Sequence, residues 1–216
     1  MPTQKARMIV HLIPRWFNVS VRINGMILRF VMDTEEFWSQ YASVAASHYN
    51  EEMAKFIRDL AISLKAHSVL EVGCSTGNDL KLFPKDFDVN GTDRNEIAIK
   101  KAQENLPDFK FRVGSILELP YEDSSMDLVF TRNVLNYIQN SDMKKSFGEL
   151  FRVSRKYILN IELFSEDEGQ IGEDPIMWGR NAYKDWSDFK VKIISNVDMH
   201  EEIDPKKSRF TLVRKI

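Results

Sequence analysis

One cysteine, Cys74, stands in 216 residues, so no internal disulfide can form and the chain must be held by its core. That count fits a reducing compartment, and a cytoplasmic location is expected. Charge of either sign is nearly balanced at −2, which leaves no basic footprint for a nucleic-acid backbone and argues against a nucleic-acid partner. No apolar run is long enough to span a bilayer. The nearest stretch, Met8 to Ile13, is interrupted by His11 and closed by Pro14 and Arg15, with no small-residue cleavage site after it. Glycine is sparse at nine residues, which gives weight to the two that fall together at Gly73 and Gly77. No metal is expected.

What is present fits one medium α/β domain with appendages: 43% of residues are hydrophobic and 29% charged. Residues 1–32 read as an N-terminal extension. Within it Phe17 to Ile23 alternates, Asn24-Gly25 follows, and Met26 to Met32 is β-prone, which predicts a hairpin because Asn-Gly tolerates positive φ at both turn positions. Residues 33–66 carry two helical patterns. Asp33 with Glu36 forms a capping-box pattern, Phe37, Tyr41, Val44 and Ala45 share a face, and Trp38 is offset from it. The second stripe runs Met53, Phe56, Ile57, Leu60, Ala61 and Leu64. Core packing and a lid over a ligand are equally good readings of Phe37, Trp38 and Tyr41.

From residue 67 to 164, strands alternate with helices, the pattern of a doubly wound parallel sheet. Strands are predicted at Ser68 to Val72, Phe87 to Thr92, Phe109 to Val113, Asp127 to Phe130 and Tyr157 to Phe164, and helices at Asn95 to Asn105 and from Ser141. Residues 165–216 form a C-terminal substrate-side segment ending in two strands, Phe189 to Ile194 and Arg209 to Arg214.

The organising stretch is Val69-Leu-Glu71-Val-Gly73-Cys-Ser75-Thr-Gly77-Asn-Asp-Leu80, which reads as strand, tight turn and helix start. Glycine lets backbone approach a ligand closely. A dinucleotide fingerprint, G-x-G-x-x-G, would need glycine where Ser75 and Asn78 stand, and so fails. Asp93 ends the second strand twenty residues after Gly73, where an acid suits two ribose hydroxyls; capping the next helix is its other reading. Further on come Gly114-Ser115-Ile116-Leu-Glu-Leu-Pro120, then Met126-Asp-Leu-Val-Phe130, then Thr131-Arg-Asn133-Val-Leu135-Asn136-Tyr137-Ile138.

These four motifs, in this order and spacing, resemble the class I S-adenosylmethionine (SAM)-dependent methyltransferases of the type 11-like kind. The resemblance implies a Rossmann-like, mostly parallel seven-stranded sheet with an antiparallel last strand. It implies S-adenosyl-L-methionine as cofactor and methyl transfer to a small-molecule acceptor. It places Glu71 and the backbone of Gly73, Ser75 and Gly77 at the methionine portion and Asp93 at the ribose. Ser115 and Ile116 then frame the adenine, and Asn133 and Leu135 border the methionine carboxylate and the acceptor route. A narrower resemblance, carried by Gly114-Ser115-Ile116, Phe37-Trp38 and Trp178-Gly-Arg180-Asn181, is to methylases associated with pseudaminic acid biosynthesis. It implies a sugar or sugar-nucleotide acceptor.

Two departures stand out: Ser75 replaces the middle glycine, and Ser115 replaces the aspartate that meets the adenine amine. Asn136-Tyr137 stands where many relatives carry histidine, and asparagine cannot act as a base. No catalytic base is assigned from the sequence. Asn136 and Tyr137 are expected to face the ligand. Arg180, Tyr183 and His200 are read as surface or packing residues before substrate contacts, and Lys206-Lys207 as a solvated turn. A protein that binds SAM without transferring methyl, as a partner or regulator, is the alternative.

Overall fold

The computed structural model describes residues 20–23, 26–29, 34–44, 49–171 and 177–216. Strands β1 (Ser20–Ile23) and β2 (Met26–Arg29) pair antiparallel, Ser20 opposite Arg29. Asn24-Gly25 and Asp33 fall outside the described residues.

Helices α1 (Thr34–Ser43) and α2 (Glu51–Ser63) precede the sheet. The Asn50 side chain caps α2 by accepting from Met53 N, and Glu51 and Glu52 complement its positive end. The main sheet then uses β3 (Ser68–Val72), β4 (Asp88–Asp93), β5 (Lys110–Val113), β6 (Met126–Arg132), β7 (Ser154–Glu162), β8 (Val191–Asp198) and β9 (Arg209–Lys215), in the order β5-β4-β3-β6-β7-β9-β8. The pairings of β3 to β7 are parallel, while β9 pairs antiparallel with both β7 and β8, so β9 alone runs against the other six. The mostly parallel, seven-stranded Rossmann-like sheet expected from the motifs is therefore present. The reversed strand lies inside the sheet, with β8 on the edge.

Helices α3 (Glu96–Asn105), α4 (Met143–Val153) and α5 (Ala182–Trp186) complete the sandwich. Alternate strand residues feed opposite layers, as the period of two requires. Val69, Leu128, Phe130 and Leu159 pack with Met53 and Ile57 of α2 and Ile99 of α3. Leu70, Val129 and Ile158 pack with Phe147 and Leu150 of α4 and Trp186 of α5. Beyond β3 the expected helix is only one 3₁₀ turn, Asn78–Leu80, with Pro84 close behind. Helix α4 begins two residues after Ser141, behind a 3₁₀ turn at Asn140–Asp142.

Chain order leaves β3 in opposite directions toward β4 and β6, and in such sheets ligands bind outside the carboxyl ends at that switch point. The loops after β3, β4, β5, β6 and β7 all emerge on this rim. Among the described residues no helix is long and apolar enough to cross a membrane.

Candidate functional site

The rim holds a cavity of about 360 Å³, within the size range of small-molecule sites. Gly73 opens its floor. At φ +76° it occupies the left-handed region, and its N–H and that of Cys74 both donate to Thr92 O, at 2.7 and 3.0 Å. A Cβ on Gly73 would lie 2.3 Å from Val134 Cγ2. We expect Gly73→Ala to lower unfolding free energy by at least about 2 kcal/mol, from left-handed strain plus overlap with a branched neighbour, read as a urea midpoint shift.

Ser75 adopts the glycine-like conformation without being glycine, at φ +47°. Its N–H donates to Asp93 Oδ2 at 2.9 Å, while Asp93 Oδ1 accepts from Asn95 N at 2.8 Å. One carboxylate thus ties the turn after β3 to the end of β4. Asp93 does not cap α3; the Asn95 side chain does, accepting from Ala98 N at 3.0 Å. Burial raises the Asp93 pKa, and the N–H groups of Asn95 and Ser75 pull it back.

Gly73, Ser75, Asp93, Ser115, Ile116 and Asn133 all line this one cavity. Ser115 Oγ accepts from Leu117 N at 3.1 Å, so this serine shapes its own loop. Asn133 also sits in the left-handed region, at φ +52°, and its Oδ1 is buried with no hydrogen-bond partner. Buried polar atoms are rarely left unpaired, so this oxygen marks a place for a donor.

Three expected residues stand behind the wall instead of on it. Leu135 is fully buried in the core, and its carbonyl accepts from Arg180 Nε at 2.8 Å. Gly77 turns away: its missing Cβ would meet Leu106 at 2.9 Å and Phe111 at 3.2 Å. Glu71 is 4% exposed and does not reach the cavity. Burial and the neighbouring Asp79 hold its carboxyl well above the usual range, against the pull of Arg132.

Arg132 and Asp79 carried no signal in the sequence. Arg132 ends β6 and Asp79 sits in the 3₁₀ turn, 53 positions apart in the chain. Arg132 donates Nε and a terminal amine to the two Asp79 oxygens, the latter at 3.0 Å, a fork that suits guanidinium and carboxylate geometry. Both side chains line the cavity. Trp38 and Tyr41 of α1 line it as well. Trp38 meets Tyr137 edge-on at 4.9 Å and Tyr41 at 5.7 Å. Helix α1 is docked by Asn95 Nδ2 donating to Ser39 Oγ and Lys101 Nζ donating to Ala42 O, each at 3.2 Å.

Glu162, at the end of β7, supports the wall from below. One carboxylate oxygen accepts from Thr131 Oγ1 at 2.8 Å, the other from Val134 N at 3.0 Å and Asn136 N at 3.4 Å. Burial pushes its pKa from 4.5 up to about 7, against those hydrogen bonds. A carboxyl whose folded pKa is raised binds more protons folded than unfolded. Its contribution is therefore fully present below 4.5 and lost as pH rises toward 7. Urea titrations across that window should show Glu162→Gln removing a slope worth up to about 3 kcal/mol in the parent.

Asn136 reaches the cavity yet is wholly committed to the backbone. Its amide donates to Leu163 O at 3.0 Å and Trp178 O at 2.6 Å, and its oxygen accepts from Leu163 N at 3.0 Å. Tyr137 O–H donates to Met177 Sδ at 3.6 Å. Arg180 is 1% exposed and holds Leu135, Ile138 and Asn140, a packing role. Asn181 caps α5. Tyr183 and His200 do not line the cavity; Lys206, exposed in a turn as expected, stands in its lining. Among the described residues no three His, Cys, Asp or Glu side chains are grouped to hold a metal ion.

Residues 69–157 match the family model described as "Methyltransferase domain". An uncharacterised Haemophilus influenzae protein is 32% identical over 49% of this chain and 44% of its own length. An uncharacterised methyltransferase of Schizosaccharomyces pombe is 32% identical over 42% of this chain and 37% of its own. The chain thus spans less than half the length of these curated relatives. Among solved structures, phosphoethanolamine N-methyltransferase 1 of Haemonchus contortus, in complex with phosphoethanolamine and S-adenosylhomocysteine, superposes with a TM-score of 0.62 at 20% identity. It covers 84% of this chain and 48% of that one.

Proposed function

We propose that this chain uses its class I S-adenosylmethionine-dependent methyltransferase domain to transfer a methyl group to a small-molecule acceptor. The observation that carries the reading is the convergence of Gly73, Ser75, Asp93, Ser115, Ile116 and Asn133 on one cavity at the switch point. The residues fit the cofactor. The Asn133 oxygen without a partner suits the methionine ammonium, and the Arg132 guanidinium, steadied by Asp79, suits the methionine carboxylate. Asp93 suits the ribose hydroxyls, and Ser115 with Ile116 the adenine. Glu71 lies buried behind them, beside Asp79.

When bound, SAM supplies a methyl group already activated on a sulfonium. The chain's own work is therefore to orient donor and acceptor in line and to exclude water. Trp38 and Tyr41 fit a lid in that role, with α1 tied to α3. Asn136 positions the 163 and 178 segments and takes no proton, so the histidine missing at this place is replaced by a structural residue. A sugar or sugar-nucleotide intermediate is the acceptor class we favour, from the resemblance carried by Gly114-Ser115-Ile116 and Trp38.

Calorimetric titration with SAM and with S-adenosylhomocysteine, paired with labelled-methyl transfer into cell extract, tests this reading. Binding of both together with labelled product is expected. Binding without transfer into any extract would favour the regulator alternative, and no binding would end the methyltransferase reading.

A further inference from the structure

Strand β9 runs against β7 with Arg209 opposite Glu162, so the turn that leads into β9 returns to the same rim as the cofactor loops. That turn is built from within. Asp204 is 7% exposed, and its carboxylate accepts from Lys206 N at 3.2 Å and Ser208 N at 2.9 Å. Its carbonyl accepts from Lys207 N at 2.8 Å, and Asn50 Nδ2 donates to Ile203 O at 2.7 Å. The two lysines it carries are treated differently. Lys207 pairs with Glu201 at 2.9 Å. Lys206 lines the cavity and, among the described residues, forms no ion pair.

Of the other charged residues in the lining, Arg132 is held by Asp79, and Arg94 and Asp142 form no ion pair with Lys206. Sheet order sets β9 four strands from β4, about 19 Å at the usual strand spacing. Asp93 at β4 would mark the ribose end of the site, so Lys206 stands toward the opposite end, on the side of β7 and β9. Lys206 is exposed at the mouth of the cavity, and an ammonium with no ion-pair partner there can meet an anion by a charge-assisted hydrogen bond.

We propose that the methyl acceptor carries an anionic group, a carboxylate or a phosphate, and that Lys206 binds it. This rests on the methyltransferase reading above and narrows its acceptor class. The protein saturated with S-adenosylhomocysteine is titrated with succinate, with inorganic phosphate and with neutral succinamide. One of the two anions is expected to bind, and which one distinguishes a carboxylate from a phosphate acceptor. Lys206→Gln should weaken that anion at least about tenfold, Lys206→Arg should keep most of it, and S-adenosylhomocysteine affinity should be equal in all three proteins. The proposal is overturned if neither anion binds the parent, if Lys206→Gln binds it undiminished, or if succinamide binds equally well. Failure of S-adenosylhomocysteine to bind the parent is a different result and removes the methyltransferase reading instead.

Discussion

Arg132→Ala is expected to lower unfolding free energy by about 3–5 kcal/mol, the usual cost of removing one partner of a buried pair. Asp79 is 3% exposed and Glu71 4%, so deleting the guanidinium leaves two neighbouring carboxyl groups away from water with no cation between them. Chemical denaturation gives the size of the loss. The double variant Asp79→Leu with Arg132→Met should recover most of it, because well-packed apolar residues of similar volume replace a buried pair at little cost. A double variant as unstable as Arg132→Ala would mean that the loss comes from packing, not from stranded charge. Cofactor affinity is the second readout. If Arg132 meets the methionine carboxylate, the double variant folds but binds S-adenosylhomocysteine weakly.

Asp93→Ala is expected to weaken S-adenosylhomocysteine binding about 100-fold, near 3 kcal/mol, since hydrogen bonds to a charged group are worth more than neutral ones. Two effects add. The contact proposed between the carboxylate and the ribose is lost, and the N–H groups of Ser75 and Asn95 lose their acceptor, which loosens the turn after β3. Asp93→Asn separates them, because an amide oxygen still accepts from one N–H while the charge is gone, and an intermediate loss is expected. Calorimetry on all three proteins measures the order. An Asp93→Ala protein that binds as tightly as the parent would remove Asp93 from the cofactor site.

The pair of variants also shows where sequence reasoning reaches its limit. Asp93 was legible because strand, turn and acid recur at a fixed separation along the chain, and that separation is set by the length of one βαβ step. Arg132 was not, because its partner Asp79 and its neighbour Glu71 come from other segments, and an arginine after a strand has no local pattern that tells a buried fork from a surface charge. Glu162 escaped for the same reason, and so did the role of Asn136, which the sequence placed at the cavity but not as a clamp on the chain. Most of their partners are backbone groups at Val134, Leu163 and Trp178, and backbone groups leave no mark in the order of side chains. Lys206 is half of the solvated Lys-Lys turn expected, and only the reversed direction of β9 brings that turn to the rim.

By itself the order of amino acids determined the alternation of strands and helices, the glycine-bent turn after β3 and the acid at the end of β4. These are short-range matters of hydrophobic period, backbone freedom and spacing. Only the tertiary structure decided that Leu135, Gly77 and Glu71 lie behind the cavity wall while Trp38, Tyr41, Arg132 and Lys206 lie on it. Which side of a packed wall a residue takes depends on what the rest of the chain places against it, and burial of charge is decided between segments, not within one.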